Sequence, residues 1–363
     1  MVKKHNIFEF ATSELSNDAI LCWIINGLGH LNSSSEFKKV SMNFIKQMLG
    51  EIKVNFDEVK VEKQKQLIGA NDKKLYIDIF VELRLNGVTI HTILIEDKVD
   101  SGESGNQLLE YRSAINNDLN DKSFVFINIG NRSSNYKERI KHKGWSVIDR
   151  NNLLNCINCD VNLLNHEEGL LIQYRNYLTD LENEFNNYLK IDVKDWNSYN
   201  VQGFFQSLEN DKTEYDWGTV YNPSGGFIAI WYMKHTFLFK QQIEFSVYLQ
   251  LEYPFKNNKD MRVAIKISTN KYDELESENS ENPYKYTEDF RKILADIFDV
   301  KFFTKSRKTN AKTMTLSYKS ILESNENPTI SVLRNRISVA ENYFNLLIKQ
   351  VCINSDIILL GAD

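Results

Sequence analysis

The chain has 363 residues, 42% of them hydrophobic and 12% aromatic, and a formal net charge of −5 at pH 7. That length suits two domains better than one stretched core, and the composition is that of an ordinary soluble protein, not a disordered or fibrous one. No apolar run reaches the ~20 residues of a membrane span. Met1-Val2-Lys3-Lys4-His5 leads into no signal-peptide core, and Cys22, Cys156, Cys159 and Cys352 fit a reducing cytoplasm, the expected location, better than a disulfide scaffold.

Taken from the N-terminus, Ser16-Asn17-Asp18 offers a helix N-cap with an acid in the first turn. Ile20, Trp23, Ile24 and Leu28 then recur at helical spacing, and Gly27 and Gly29 fit the helix end. Further on, Leu75, Ile77, Ile79, Val81, Leu83 and Leu85 alternate with Tyr76, Asp78, Phe80, Glu82 and Arg84, which predicts a strand. Asn86-Gly87 is a hairpin turn signal. The second strand runs from about Val88 to Lys98, and Ile93-Leu94-Ile95 is apolar on both faces, as in the middle of a sheet. Glu96 and Lys98 share one face; Asp97 points to the other.

Register decides whether Asp78 joins them. A strict two-residue turn pairs Leu85 with Val88 and Asp78 with Ile95, which puts Asp78 and Glu96 on opposite faces. A three-residue loop or a single bulge makes Asp78 level with Glu96. The functional reading requires the second arrangement. Two carboxylates on one face repel unless a cation lies between them. Mg²⁺ or Mn²⁺ suits such oxygen ligands and can acidify a bound water. Lys98 beside it can orient that water or stabilise developing charge. The bland alternative is a surface hairpin with an ordinary Glu-Lys pair. Gln107 and Tyr111, four apart, share one helical face.

These motifs resemble the PD-(D/E)xK nuclease superfamily, in particular its bacterial group with Ile-Asp-Ile, Ile-Glu-(Asn/Asp)-Lys and Gln-Leu-x-x-Tyr segments. Here they read Ile77-Asp78-Ile79, Ile95-Glu96-Asp97-Lys98, Ser101 to Gly105, and Gln107 to Tyr111, with Ile77 in place of the proline. The resemblance covers roughly residues 8 to 150. It implies a restriction-endonuclease-like α/β core with a mixed β-sheet flanked by helices. It also implies metal binding by Asp78, Glu96 and the Asp97 backbone carbonyl, and assistance to the attacking water by Lys98. Gln107 and Tyr111 become the family's helix motif; otherwise they are solvated polar residues at a helix start. Glu14 is the best match for a first-helix acid that reaches the metal site, or else a solvated charge.

After the motifs, Phe124 to Ile129 and Gly144 to Asp149 read as buried strands, the first parallel. Cys156-Ile-Asn-Cys159 is a lone CxxC, better read as two helical cysteines than as a metal site. Residues 165 to 190 read as a long helix. A boundary is expected at 190/191, giving a nuclease-like domain over 1–190 and a strand-rich α+β domain of unknown role over 191–363. In the latter, Gly226 to Tyr232, Gln242 to Leu249, Met261 to Ile267 and Met314 to Tyr318 read as strands, and about 285–297 and 331–351 as helices. Tyr272 to Tyr286 is acidic and reads as a loop. Lys301, Lys305, Arg307, Lys308 and Lys312, with Phe302 and Phe303 among them, either track a phosphate backbone or form a solvated loop over two core rings.

Two functions compete. The first is a Mg²⁺- or Mn²⁺-dependent nuclease acting on nucleic acid, with DNA the expected substrate and, by resemblance, defence against foreign DNA the setting. The second is a restriction-like module that binds nucleic acid or protein without cutting. The sequence leaves open a homodimer or a partner subunit. The net charge does not advertise nucleic-acid binding, but local clusters of basic residues can supply it.

Overall fold

The computed structural model describes residues 6–11, 13–99, 101–115, 120–211, 215–221, 225–240, 243–255, 260–269, 283–297, 303–305, 313–323 and 326–362. The chain divides into two compact units, Met1–Asn183 and Glu184–Asp363. The division falls inside helix α6 (Gly169–Asn186), slightly before the position expected from the sequence.

The first unit is built on a five-stranded mixed sheet in the order β1 (Glu58–Ile68), β2 (Lys74–Leu85), β3 (Val88–Lys98), β4 (Asp121–Asn128), β5 (Ser146–Asp149). The pairs β1–β2 and β2–β3 are antiparallel; β3–β4 and β4–β5 are parallel. One sheet face buries Ile79, Val81, Leu83, Ile93, Ile95, Val125 and Ile127. Against it pack residues of α1 (Glu14–Asn26), α2 (Ser35–Leu49), α5 (Arg150–Cys156) and α6. On the other side Phe80, Leu94 and Phe126 meet Leu108 and Tyr111 of α3 (Gln107–Ala114), Ile140 of α4 (Ser134–His142) and Trp145. This is a three-layer α/β sandwich.

The hairpin settles the register. Asn86 and Gly87 both have positive φ, 52° and 78°, as a two-residue type I′ turn demands. Leu85 pairs with Val88 and Arg84 with Thr89, but Leu83 pairs with His91, so Ile90 is an extra residue, a bulge. The shifted ladder runs to Ile79 opposite Ile95. One step further, Asp78 is level with Glu96. There β2 and β3 part: no β2–β3 pair follows Ile79–Ile95, while β2 continues on β1 to Lys74–Ile68 and β3 continues on β4 to Lys98–Asn128.

A second change falls at the same place. Leu75 and Ile77 pack in the α3 cluster, whereas Ile79, Val81 and Leu83, of the same parity, pack in the α1 cluster. The sequence predicts one continuous apolar face for these residues. The structure divides it at Asp78, where the β1–β2 ribbon turns over.

The second unit is α+β. Its antiparallel sheet runs β10 (Thr304–Lys305), β11 (Thr313–Leu322), β9 (Met261–Thr269), β8 (Ile243–Pro254), β7 (Phe227–Phe239), β12 (Ile357–Ala362), with β6 (Asp216–Val220) also on β7. Phe204 and Phe205 of α7 (Ser198–Asp211), Phe290 and Leu294 of α8 (Pro283–Ile297), and Leu333 and Phe344 of α9 (Ile330–Val351) pack on Val247, Leu249, Val263 and Ile265. The acidic segment read as a loop lies outside the described residues up to 282; from Pro283 the chain is helical. Among the described residues no helix is long and apolar enough to cross a membrane.

Candidate metal centre

The parting of β2 and β3 leaves an opening that the motif residues fill. The Asp97 N–H, no longer facing a β2 partner, donates to Asp78 Oδ2 at 2.9 Å. The Lys98 ammonium lies 2.7 Å from Glu96 Oε1 and 3.7 Å from Asp78 Oδ2. It also donates to the Asp97 carbonyl at 3.1 Å and to Glu14 Oε2 at 3.5 Å. Asp78, Glu96 and Lys98 are therefore gathered round one point, the second of the two arrangements that the sequence left open, and the bulge at Ile90 is the cause.

Helix α1 completes the wall. Its N-cap is Ser13, whose hydroxyl accepts from Ser16 N, so the helix starts at Glu14, earlier than the Ser16-Asn17-Asp18 cap expected from sequence. Glu14 accepts from Ser101 Oγ as well as from Lys98. It is an ion-pair partner of Lys98, not an isolated solvated charge. The earlier start also places Asp18 four residues after Glu14, on the same helical face. Asp18 is 1% exposed. Its Oδ2 accepts from Gln64 Nε2 at 3.4 Å, and its Oδ1 has no hydrogen-bond donor among the described residues.

Sequence reasoning missed Asp18, Gln64, Asn17 and Tyr174. Gln64, on β1 opposite Asp78, donates to Asp78 Oδ1 at 2.9 Å. Asn17 donates to both oxygens of the Asp97 carboxylate at 2.9 and 2.8 Å, and Tyr174 OH donates to Asn17 Oδ1 at 2.8 Å. The Asp97 side chain thus faces away from Glu96 and Lys98 and ties β3 to α1 and α6. Only its carbonyl faces the site. The spacing Glu14 to Asp18 was a legible signal; Gln64 sits in a polar stretch that advertises nothing.

The charge balance follows from these positions. The carboxylates of Glu14, Asp78 and Glu96 lie round the Lys98 ammonium, with those of Asp18 and Asp97 behind them on Gln64 and Asn17. Burial pushes the Glu96 carboxyl up to about 8, with the Asp78 charge adding and Lys98 opposing. Burial and the Asp78 charge lift Asp18 to about 7. Burial holds Asp97 well above the usual carboxylate range despite the Asn17 donors. Burial alone would lower Lys98, but the charge and hydrogen bonding of Glu96, with Asp78 and Glu14, outweigh it and raise it. Lys98 therefore stays an ammonium at neutral pH.

These residues fit a hard divalent cation. The donors are all oxygen, and Glu96 Oε2 is buried with no hydrogen-bond donor among the described residues. Among those residues no group of three or more His, Cys, Asp or Glu is placed to hold a metal ion. An ion here would rest on the Asp78 and Glu96 carboxylates, the Asp97 carbonyl and its own waters, the ligation Mg²⁺ prefers.

Gln107 and Tyr111 lie beside this point rather than in it. Gln107 Nε2 donates to Tyr111 OH at 2.7 Å, and Tyr111 OH donates to the Tyr76 carbonyl at 2.7 Å. Tyr111 is 3% exposed. The pair ties α3 to β2 two residues before Asp78. Cys156 is buried at the end of α5, Cys159 half-buried beyond it, and neither belongs to a metal-ligating group among the described residues. Of the second-unit basic cluster, Lys301, Arg307, Lys308 and Lys312 lie outside the described residues. Lys305 is described only as part of β10, and Phe303 is buried.

Compared with family models, residues 5–179 match the PD-(D/E)XK nuclease superfamily. No curated protein and no solved structure matches the chain.

Proposed function

We propose, from the match of residues 5–179 to the PD-(D/E)XK nuclease superfamily, that the first unit is a divalent-cation-dependent nuclease. The observation that carries this reading is the Lys98 ammonium between Glu96 and Asp78, at 2.7 and 3.7 Å, where β2 and β3 part. Asp78 and Glu96 would hold Mg²⁺ or Mn²⁺. When bound, such an ion lowers the pKa of a ligated water and neutralises phosphate charge.

The chain's own groups do the rest. Lys98, kept protonated by its acidic neighbours, is a donor and a positive charge for the attacked phosphate, not a base. Glu14 and the Asp97 carbonyl fix where its ammonium sits. Gln107 and Tyr111 hold the strand that carries Asp78.

Basic residues lie near the site, although most are balanced by acids. Arg132 donates to the carbonyl of Ser101, the residue that donates to Glu14. On and after α4, Lys137, Lys141 and Lys143 are ion-paired with Asp149, Glu138 and Glu103, so the nucleic-acid substrate is proposed from the family match and not from a basic surface. We take DNA as the substrate, restriction of foreign DNA as the setting and the cytoplasm as the location. Phosphate contact by Lys301, Lys305, Arg307, Lys308 and Lys312 is the matching assignment for the second unit. The test is incubation of the full chain with duplex DNA, single-stranded DNA and RNA, with Mg²⁺, Mn²⁺ or EDTA. Cleavage of DNA that needs the cation supports the reading; failure to cleave any of the three with either cation contradicts it.

A further inference from the structure

Gln64 lies within β1 with φ = +53°. Left-handed backbone is costly for a glutamine, and such strain persists where the surroundings enforce it. No insertion explains it. Lys63 pairs with Ile79 and Lys65 with Ile77, so the ladder keeps step across the position and Gln64 stands opposite Asp78. This is where the β1–β2 ribbon turns over, with Val59 and Val61 in the α1 cluster and Leu67 in the α3 cluster. A turn-over alone would be served with less strain by glycine or asparagine. The glutamine adds an amide that reaches Asp78 Oδ1 at 2.9 Å and Asp18 Oδ2 at 3.4 Å.

We propose that Gln64 is a positioning residue for Asp78. Its amide holds Oδ1 while the Asp97 N–H holds Oδ2 at 2.9 Å, so the carboxylate plane is fixed from both sides and its free lone pairs face the Glu96–Lys98 point. The same neutral donor separates Asp78 from Asp18, whose charges would otherwise meet directly. The proposal rests on the nuclease reading for its consequence in catalysis, and on the geometry alone for its consequence in cation binding.

Three variants separate backbone from amide. Gln64→Gly and Gln64→Asn accept positive φ but lose the reach; Gln64→Met keeps the length and loses the donor. Each is compared with the wild-type chain for thermal midpoint in EDTA, for the Mn²⁺ concentration giving half the thermal shift, and for kcat and KM. The expected result is that the Gly and Asn variants melt no lower than wild type in EDTA. All three should need more Mn²⁺ and lose about ten- to a hundred-fold in kcat, the range for a hydrogen bond to a charged group, with KM little changed. Wild-type Mn²⁺ response and kcat in the Gly or Asn variant would overturn the proposal, leaving Gln64 as a backbone turn. So would a lowered midpoint with wild-type Mn²⁺ response. If the wild type binds Mn²⁺ but cleaves nothing, the nuclease reading has failed and the Mn²⁺ comparison still decides the role of Gln64. If the wild type binds no Mn²⁺, both fall.

Discussion

The backbone N–H of Asp97 donates to Asp78 Oδ2 at 2.9 Å across the gap where their strands part. That bond joins β2 to β3 after their ladder has ended, at the level where the bulge at Ile90 has already brought Asp78 opposite Glu96. The site thus depends on a failure of sheet pairing at one point, with side chains and one N–H replacing the missing ladder bonds.

The metal-free protein should lose stability as pH rises, through Glu96. Its carboxyl titrates near 8 when folded, against an ordinary value of 4.5. A folded value above the unfolded one means a contribution fully present below about pH 4.5 and lost as pH rises through 8. In Glu96→Gln this loss is absent. Melting in EDTA at pH 6 and pH 9 should therefore show the variant gaining on the wild type at the higher pH. An unchanged difference between the two would mean that Glu96 carries no buried charge.

Lys98→Ala should destabilise the chain in EDTA, because Glu96 and Asp78 lose their nearest cation. Breaking a buried pair costs about 3–5 kcal/mol. Here the loss should be about 1–3 kcal/mol, since Glu96 can take up a proton instead. Added Mn²⁺ should recover most of it, as the ion supplies the missing charge. Chemical denaturation with and without Mn²⁺ measures both quantities. A variant as stable as wild type in EDTA would contradict the ion-pair geometry.

Tyr111→Phe should cost about 1–3 kcal/mol of stability, the range for leaving a buried acceptor such as the Tyr76 carbonyl unsatisfied. Its effect on kcat should be smaller than that of Asp78→Ala, which removes a carboxylate from the centre. Gln107→Ala should cost less again, because among the described residues its amide bonds the Tyr111 hydroxyl and Ser104, neither of them a carboxylate of the centre. A Gln107→Ala defect equal to that of Asp78→Ala would mean that Gln107 contacts the substrate.

Much of this centre was legible in the sequence, and the parts that were not share a cause. Asp78, Glu96 and Lys98 were found because alternating apolar residues announce strands and make the charges among them conspicuous. The register was left as two alternatives; the bulge at Ile90 chooses between them, and nothing in Val88 to His91 marks it. Strand β1 was passed over because Lys60, Glu62, Lys63, Gln64, Lys65 and Gln66 dilute its apolar residues at the edge of the sheet. Gln64 went with it. Helices α2 and α4 were also unread, although α2 buries Phe37, Val40, Phe44 and Met48 at helical spacing. Asp18 was taken for a first-turn acid because Ser16 looked like the cap; with Ser13 as the cap it becomes a buried residue of the site wall.

The central claim, that Asp78 and Glu96 jointly hold one divalent cation, is tested most directly by calorimetric titration of Mn²⁺ into the wild-type chain and the Asp78→Asn/Glu96→Gln double variant at pH 8. A single saturable site is expected in the wild type, with protons released as the acids ionise, and no such site in the folded variant. Equal Mn²⁺ binding by the two proteins would contradict it.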